Sequence, residues 1–187
     1  GNLLICQAVC RSRRFLMVFL KRKVMRMSDP DQHVSRLTVR VNNTRPDGLP
    51  DWGVRFLRPE LQARRDNGEQ YNLNVGKLNP FMFLENDHVN EMTNANIWRV
   101  LIEADQLIGG CLNFRELVAI QEDGTDFFSR HFSKKCVLAW RSVCQRKSRS
   151  GCYYVPFLYE ASLAVVIGWR SFGQKYRKGK DLTLMSD

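Results

Sequence analysis

DFFSRHFSKKCVLAWRSVCQRK, residues 126–147, decides how the C-terminal half of this chain is read. Phe128, Phe132, Cys136, Trp140 and Cys144 recur at every fourth residue, the spacing of one helical face. Thr125 stands where an N-cap belongs, just behind Gly124. The stretch therefore predicts one amphipathic helix over roughly 126–147. At about 100° per residue, Arg130, Lys134 and Arg141 align away from the apolar stripe as a narrow basic ridge. The ridge runs on into Arg146, Lys147 and Arg149. Such a surface can track phosphates, each contact releasing a counterion.

Working outward toward the C-terminus, Cys152–Tyr159 looks extended despite Pro156, and Ser162–Trp169 is apolar enough for a strand or a helix. The segment GWRSFGQKYRKGK, residues 168–180, interleaves aromatics with cations. Trp169, Phe172 and Tyr176 are candidates for stacking on bases. Arg170, Lys175, Arg177, Lys178 and Lys180 supply charge. Stacking of this kind is worth ~1–3 kcal/mol per base. No RNP-type, KH-type or zinc-knuckle signature accompanies it.

Working outward toward the N-terminus, Asn113 with Glu116 three residues later forms a capping-box pattern, and its helix ends by Gly124. Ile97, Val100, Leu101, Ala104 and Ile108 share one helical face, with Thr93 or Asn94 as cap and Gly109-Gly110 as stop. Pro59–Arg65 suits a short helix. Residues 35–41, SRLTVRV, alternate as a half-buried strand, and Tyr71–Val75 and Pro80–Leu84 read as short strands. Asn42–Asp51 is turn and loop. The expected fold class is α+β: a single domain with short strands in the N-terminal half and three amphipathic helices in the C-terminal half. The expected organisation is a basic and apolar arm over 1–27, a globular domain over 28–173 and a basic tail over 174–187.

The arm carries CRSRRFLMVFLKRK, residues 10–23, in which six apolar residues lie between two basic clusters. A block apolar on every side does not stay in water, and its flanking cations cannot be buried unpaired. Docking resolves the conflict, with Phe15, Leu16 and Phe19 against a partner or lipid and Lys21, Arg22 and Lys23 facing a polyanion. Gly1, Cys6 and Cys10 are candidate lipidation positions, although Ile5 stands where the myristoylation pattern has Ser or Thr.

Charge is the strongest compositional signal. The net charge is +10 over 187 residues. Residues 1–27 carry seven basic and no acidic side chains, and residues 134–187 carry 11 basic and three acidic ones. The stretch between them has 11 basic and 16 acidic residues. A mildly acidic body with two cationic ends points to anionic partners. The six cysteines include no CxxC pair, and free thiols in a reducing compartment are expected. No apolar run approaches the ~20 residues of a membrane span.

Catalysis has little support. His33, His88 and His131 are scattered, Asp87, His88 and Glu91 form only a common polar cluster, and no Walker loop, GxGxxG, HExxH or nucleophile elbow occurs. No cofactor and no metal site are expected. The sequence points to a non-enzymatic, basic structural protein that binds RNA or another polyanion, as a nucleocapsid-like or ribonucleoprotein-like assembly component. Self-association and a cytoplasmic location go with that expectation. The alternative is a lipid-modified or peripheral membrane protein of matrix type, held on an anionic membrane surface by the arm.

Overall fold

The long helix expected over 126–147 does not form. Only Thr125–Phe132 is helical (α4), and Lys134 then turns the chain with φ 60°. Cys136–Leu138 is a strand, Trp140–Ser142 a single 3-10 turn, and Cys144–Arg146 another strand. The reason lies in the period. A spacing of four is a multiple of the strand period of two as well as near the helical 3.6. Val137 and Leu138 pack into two different cores on opposite faces of one strand. A strand buried on both faces is apolar throughout, and periodicity cannot distinguish it from a helix.

The computed structural model describes residues 37–45, 48–62, 68–81, 92–148, 151–177 and 179–186. Its frame is a seven-stranded mixed sheet made mostly from the C-terminal half. The strands are β1 (Thr38–Asn42), β2 (Gly53–Phe56), β3 (Gln70–Asn74), β4 (Asn79–Pro80), β5 (Cys136–Leu138), β6 (Cys144–Arg146), β7 (Tyr153–Ala161), β8 (Ala164–Ser171) and β9 (Asp181–Met185). The long strand β7 is the hub. β8 pairs along one side of it, and β6 and β5 share the other, β6 at its start and β5 at its end. Outside these lie β2 on β6, β9 parallel to β5, and β4 on β9. β1 and β3 form a separate antiparallel pair.

This corrects the expected division into early strands and three late helices. The described helices are α1 (Asn94–Glu103), α2 (Asp105–Gly110), α3 (Phe114–Glu122) and α4. The apolar stripe from Ile97 to Ile108 is real but split at Ala104, whose φ −105° and ψ 83° leave the helical region. The α3 capping box forms as its spacing predicts: Asn113 accepts from the Glu116 backbone, and Glu116 Oε2 accepts from Asn113 N at 2.7 Å. Residues 181–185 belong to the sheet as β9 rather than to an appended tail. Pro59–Leu61 is a 3-10 turn.

One face of the sheet, with Val137, Leu158 and Val165, packs against α3, α4 and the β1–β3 pair. The opposite face packs Leu138, Trp140 and Val155 against α1 and α2. That second cover stops short of the end where β7 finishes and β5 and β9 begin. The arm, with Gly1, Cys6, Cys10, Phe15, Leu16, Phe19, Lys21, Arg22 and Lys23, lies outside the described residues, as do Asp87, His88 and Glu91.

Candidate anion-binding site

Parallel pairing of β5 and β9 starts both strands at one level, with Cys136 opposite Asp181. The turns leading into them are therefore neighbours. Cys136 N donates to Lys180 O at 2.7 Å and Lys135 Nζ to Gly179 O at 2.5 Å. This register brings Lys134, Lys135, Arg177 and Lys180 to one sheet end, although 42 or more residues separate the two turns in sequence.

Behind these turns lies an open cavity of about 590 Å³, lined by Cys136, Phe157, Tyr159, Arg170, Gln174, Lys175 and Arg177. Its floor is the uncovered sheet face. Phe157 and Tyr159, two apart on β7, point to that face and stack at 5.1 Å and 26°. Gly168 sits opposite Phe157 on β8, where a Cβ would come within 2.8 Å of the ring. The absence of a side chain there lets the ring lie low. Arg170 crosses above, its guanidinium 4.6 Å from the Phe157 centroid.

The electrostatics turn on Asp181, whose side chain is fully buried. Arg170 Nη1 approaches Oδ2 at 2.6 Å, as an ion pair off hydrogen-bond alignment. Arg177 donates to the same carboxylate from its backbone N at 2.6 Å and from Nη2 at 3.1 Å. The hydrogen bond that Arg177 donates to Asp181 also raises the Arg177 pKa, so that cation stays charged. One carboxylate thus faces two arginines, and Lys175 adds a third cation at the cavity wall. Arg177 also donates to Cys136 Sγ at 3.3 Å. The wall segment 174–177 is pinned by Tyr176, whose buried hydroxyl donates to Asp181 O at 2.7 Å. Burial pushes the Tyr176 phenol up to about 12.

The structure redistributes the expected nucleic-acid-binding residues. Arg141 is 4% exposed and packs inside the fold, so the basic ridge does not exist. Arg170 and Tyr176 are buried, at 6% and 5%. Trp169 is half-buried between Trp52 and Phe114, not offered for stacking. Arg146 and Lys147 lie at the other end of the sheet, where Lys147 Nζ donates to Asp51 O. Arg130 is exposed on α4, over the opposite sheet face. Arg149 and Lys178 lie outside the described residues. Lys134, Lys175, Arg177 and Lys180 remain exposed and share one region with Arg170.

Sequence reasoning missed Phe157, Tyr159, Gln174 and Asp181. The period-two spacing of Phe157 and Tyr159 on an extended stretch was the available signal, but which face stays uncovered depends on strands distant in sequence. Among the described residues, no cluster of His, Cys, Asp and Glu suits a metal ion, and no helix is long and apolar enough to cross a membrane. No family model, curated protein or solved structure matches the chain.

Proposed function

We propose that this chain is a non-enzymatic, RNA-binding structural protein, a component of a ribonucleoprotein-like assembly. The observation that supports this most is the pairing of Arg170 and Arg177 with the buried carboxylate of Asp181, with Lys175 lining the same cavity, Lys134, Lys135 and Lys180 in the adjoining turns and two stacked aromatic rings beside them. Cations that follow a backbone, next to rings with an accessible edge, are what single-stranded nucleic acid requires. The overall +10 charge adds long-range attraction for a polyanion. Self-association and a cytoplasmic location belong to the same reading.

The test is binding of the full chain to labelled single-stranded RNA and to anionic vesicles at two salt concentrations. Tight RNA binding that falls steeply with salt, and weakens in a Lys134→Glu/Lys180→Glu variant, supports the proposal. Binding to vesicles alone, unchanged in that variant, replaces it with the peripheral-membrane alternative.

A further inference from the structure

The cavity at the end of β7 is more specific than a charged surface needs to be. Backbone tracking requires only exposed lysines and arginines. Here one cation, Arg170, is 94% withdrawn from solvent on the complement of its 6% exposure, yet it lines an open cavity. Its guanidinium lies against the Asp181 carboxylate and over the Phe157 ring, and its Nη1 has no aligned hydrogen-bond partner. A guanidinium has five N–H donors, and one close anionic contact does not use them all. Buried donors left facing a cavity are costly unless water or a ligand meets them.

The rest of the lining is matched in type. Lys175 and Arg177 stand at the rim with exposed side chains, and Gln174 offers an amide beside them. The floor is aromatic and flat, because Gly168 lets Phe157 lie low beside Tyr159. The volume of about 590 Å³ falls within the ~300–1,000 Å³ of small-ligand sites. A bare phosphate or sulfate would use the cations and leave the aromatic floor idle. An apolar ring would leave the cations idle. A ligand using both is an anion joined to a planar ring.

We propose that this cavity is a nucleotide subsite, resting on the RNA-binding reading above. The phosphate sits against Arg177 and Lys175, with Arg170 supplying charge from above the Phe157 ring. The base lies against Tyr159, beside the Phe157 ring that Arg170 covers, and Gln174 is placed to hydrogen-bond its edge or the sugar. The subsite holds one nucleotide of a single strand while Lys134, Lys135 and Lys180 hold neighbouring phosphates. A duplex does not offer an unstacked base, so single-stranded RNA is preferred.

The test titrates the full chain with AMP, adenosine and inorganic phosphate, and separately with single-stranded and double-stranded RNA. Two substitutions at exposed or half-exposed positions, Tyr159→Leu and Lys175→Ala, are compared after circular dichroism shows that each is folded. AMP is expected to bind more tightly than adenosine or phosphate. Tyr159→Leu is expected to weaken AMP and single-stranded RNA about tenfold and leave phosphate unchanged, while Lys175→Ala weakens AMP and phosphate together. Adenosine monophosphate binding without RNA binding keeps the subsite and sinks the RNA reading. RNA binding without AMP binding, and unaffected by Tyr159→Leu, overturns the subsite and leaves the RNA reading standing. Equal binding of AMP and phosphate, insensitive to Tyr159→Leu, also overturns it, because the ring then contributes nothing.

Discussion

Two buried carboxylates, Glu116 and Asp181, sit on opposite sides of the same sheet and do different work. Glu116 is fully buried and closes the start of α3. It accepts from Asn113 N at 2.7 Å and from the Tyr71 hydroxyl at 2.6 Å. Around it Gln62, Asn113, Arg115 and Ser142 exchange hydrogen bonds with backbone groups and with each other. Such a network, once satisfied, rigidifies one packing of the elements it joins. Asp181 is just as buried, but its arginines face an open cavity and a solvent rim. The first carboxylate fixes a junction. The second holds positive charge in place at a surface.

The largest effect that separates them comes from removing each carboxylate. Asp181→Ala takes the counter-charge from a buried guanidinium, a change that typically costs ~3–5 kcal/mol. The loss should lie near 3 kcal/mol, since Arg170 borders a wet cavity. Glu116→Gln keeps a hydrogen-bonding side chain in the capping position, and should cost about 1–2 kcal/mol. Urea midpoints with and without added phosphate make the contrast sharp. Phosphate should recover part of the Asp181→Ala loss by taking the vacated place beside Arg170. It should do nothing specific for Glu116→Gln. Equal recovery in both variants would erase the distinction between a sealed site and an open one.

That distinction was half legible in the amino-acid sequence. Asn113 and Glu116 announced the sealed junction, because a capping box is a local device in which both partners lie within one turn. The open site is assembled from Cys136, Phe157, Arg170, Arg177 and Asp181, each on a different element or turn. Its cations were visible as a basic tail, but burial sorts them. Arg170 and Tyr176 turn inward, and Arg141 leaves the surface altogether. Asp181, a lone acid in a basic run, looked incidental and is the organiser. The fold was misjudged for a related reason. Cys136–Leu138 is apolar on both faces because it lies mid-sheet between β7 and β9, and its partners lie some 20 and 45 positions onward. The helical face at 94–103 and the strand alternation at 38–42 were readable, since each is amphipathic on its own and faces one core.

A second, smaller effect comes from alkali. Burial raises the Cys111 and Cys144 thiols from 9.0 to about 12 and the Tyr176 phenol from 10.0 to about 12. In each case the folded state favours the neutral form. The unfolded chain loses these protons first, so the stability they contribute is complete below pH 9 and falls as pH rises toward 12. Tyr176 and Cys111 lie in one core, on the face of the sheet that α1 and α2 cover, so the window reports on that face. Urea midpoints measured from pH 8 upward should decline, and Cys144→Ala should flatten part of the decline. At pH 8 a thiol reagent should label the half-buried Cys136 and Cys152 well before Cys111 and Cys144. Rapid labelling of Cys111 in the folded chain would mean that the α1–α2 cover opens readily.

The smallest stability effect should come from the residue that matters most at the rim. Arg177 pairs with Asp181 at 3.1 Å, but its side chain is half exposed. An ion pair in that position is screened by water and salt and is worth ~0–1 kcal/mol. Truncation to alanine leaves the backbone N of residue 177 donating to Asp181 and leaves Arg170 paired. Arg177→Ala should therefore shift the urea midpoint by less than about 1 kcal/mol while weakening RNA binding severalfold and lowering its salt slope by about one contact. At the centre of the sealed junction no substitution should behave this way, because Gln62, Asn113, Glu116 and Ser142 are all buried within the fold. A variant that unfolds as it loses binding would make Arg177 part of the scaffold. A variant that keeps both would place the polyanion elsewhere on the chain.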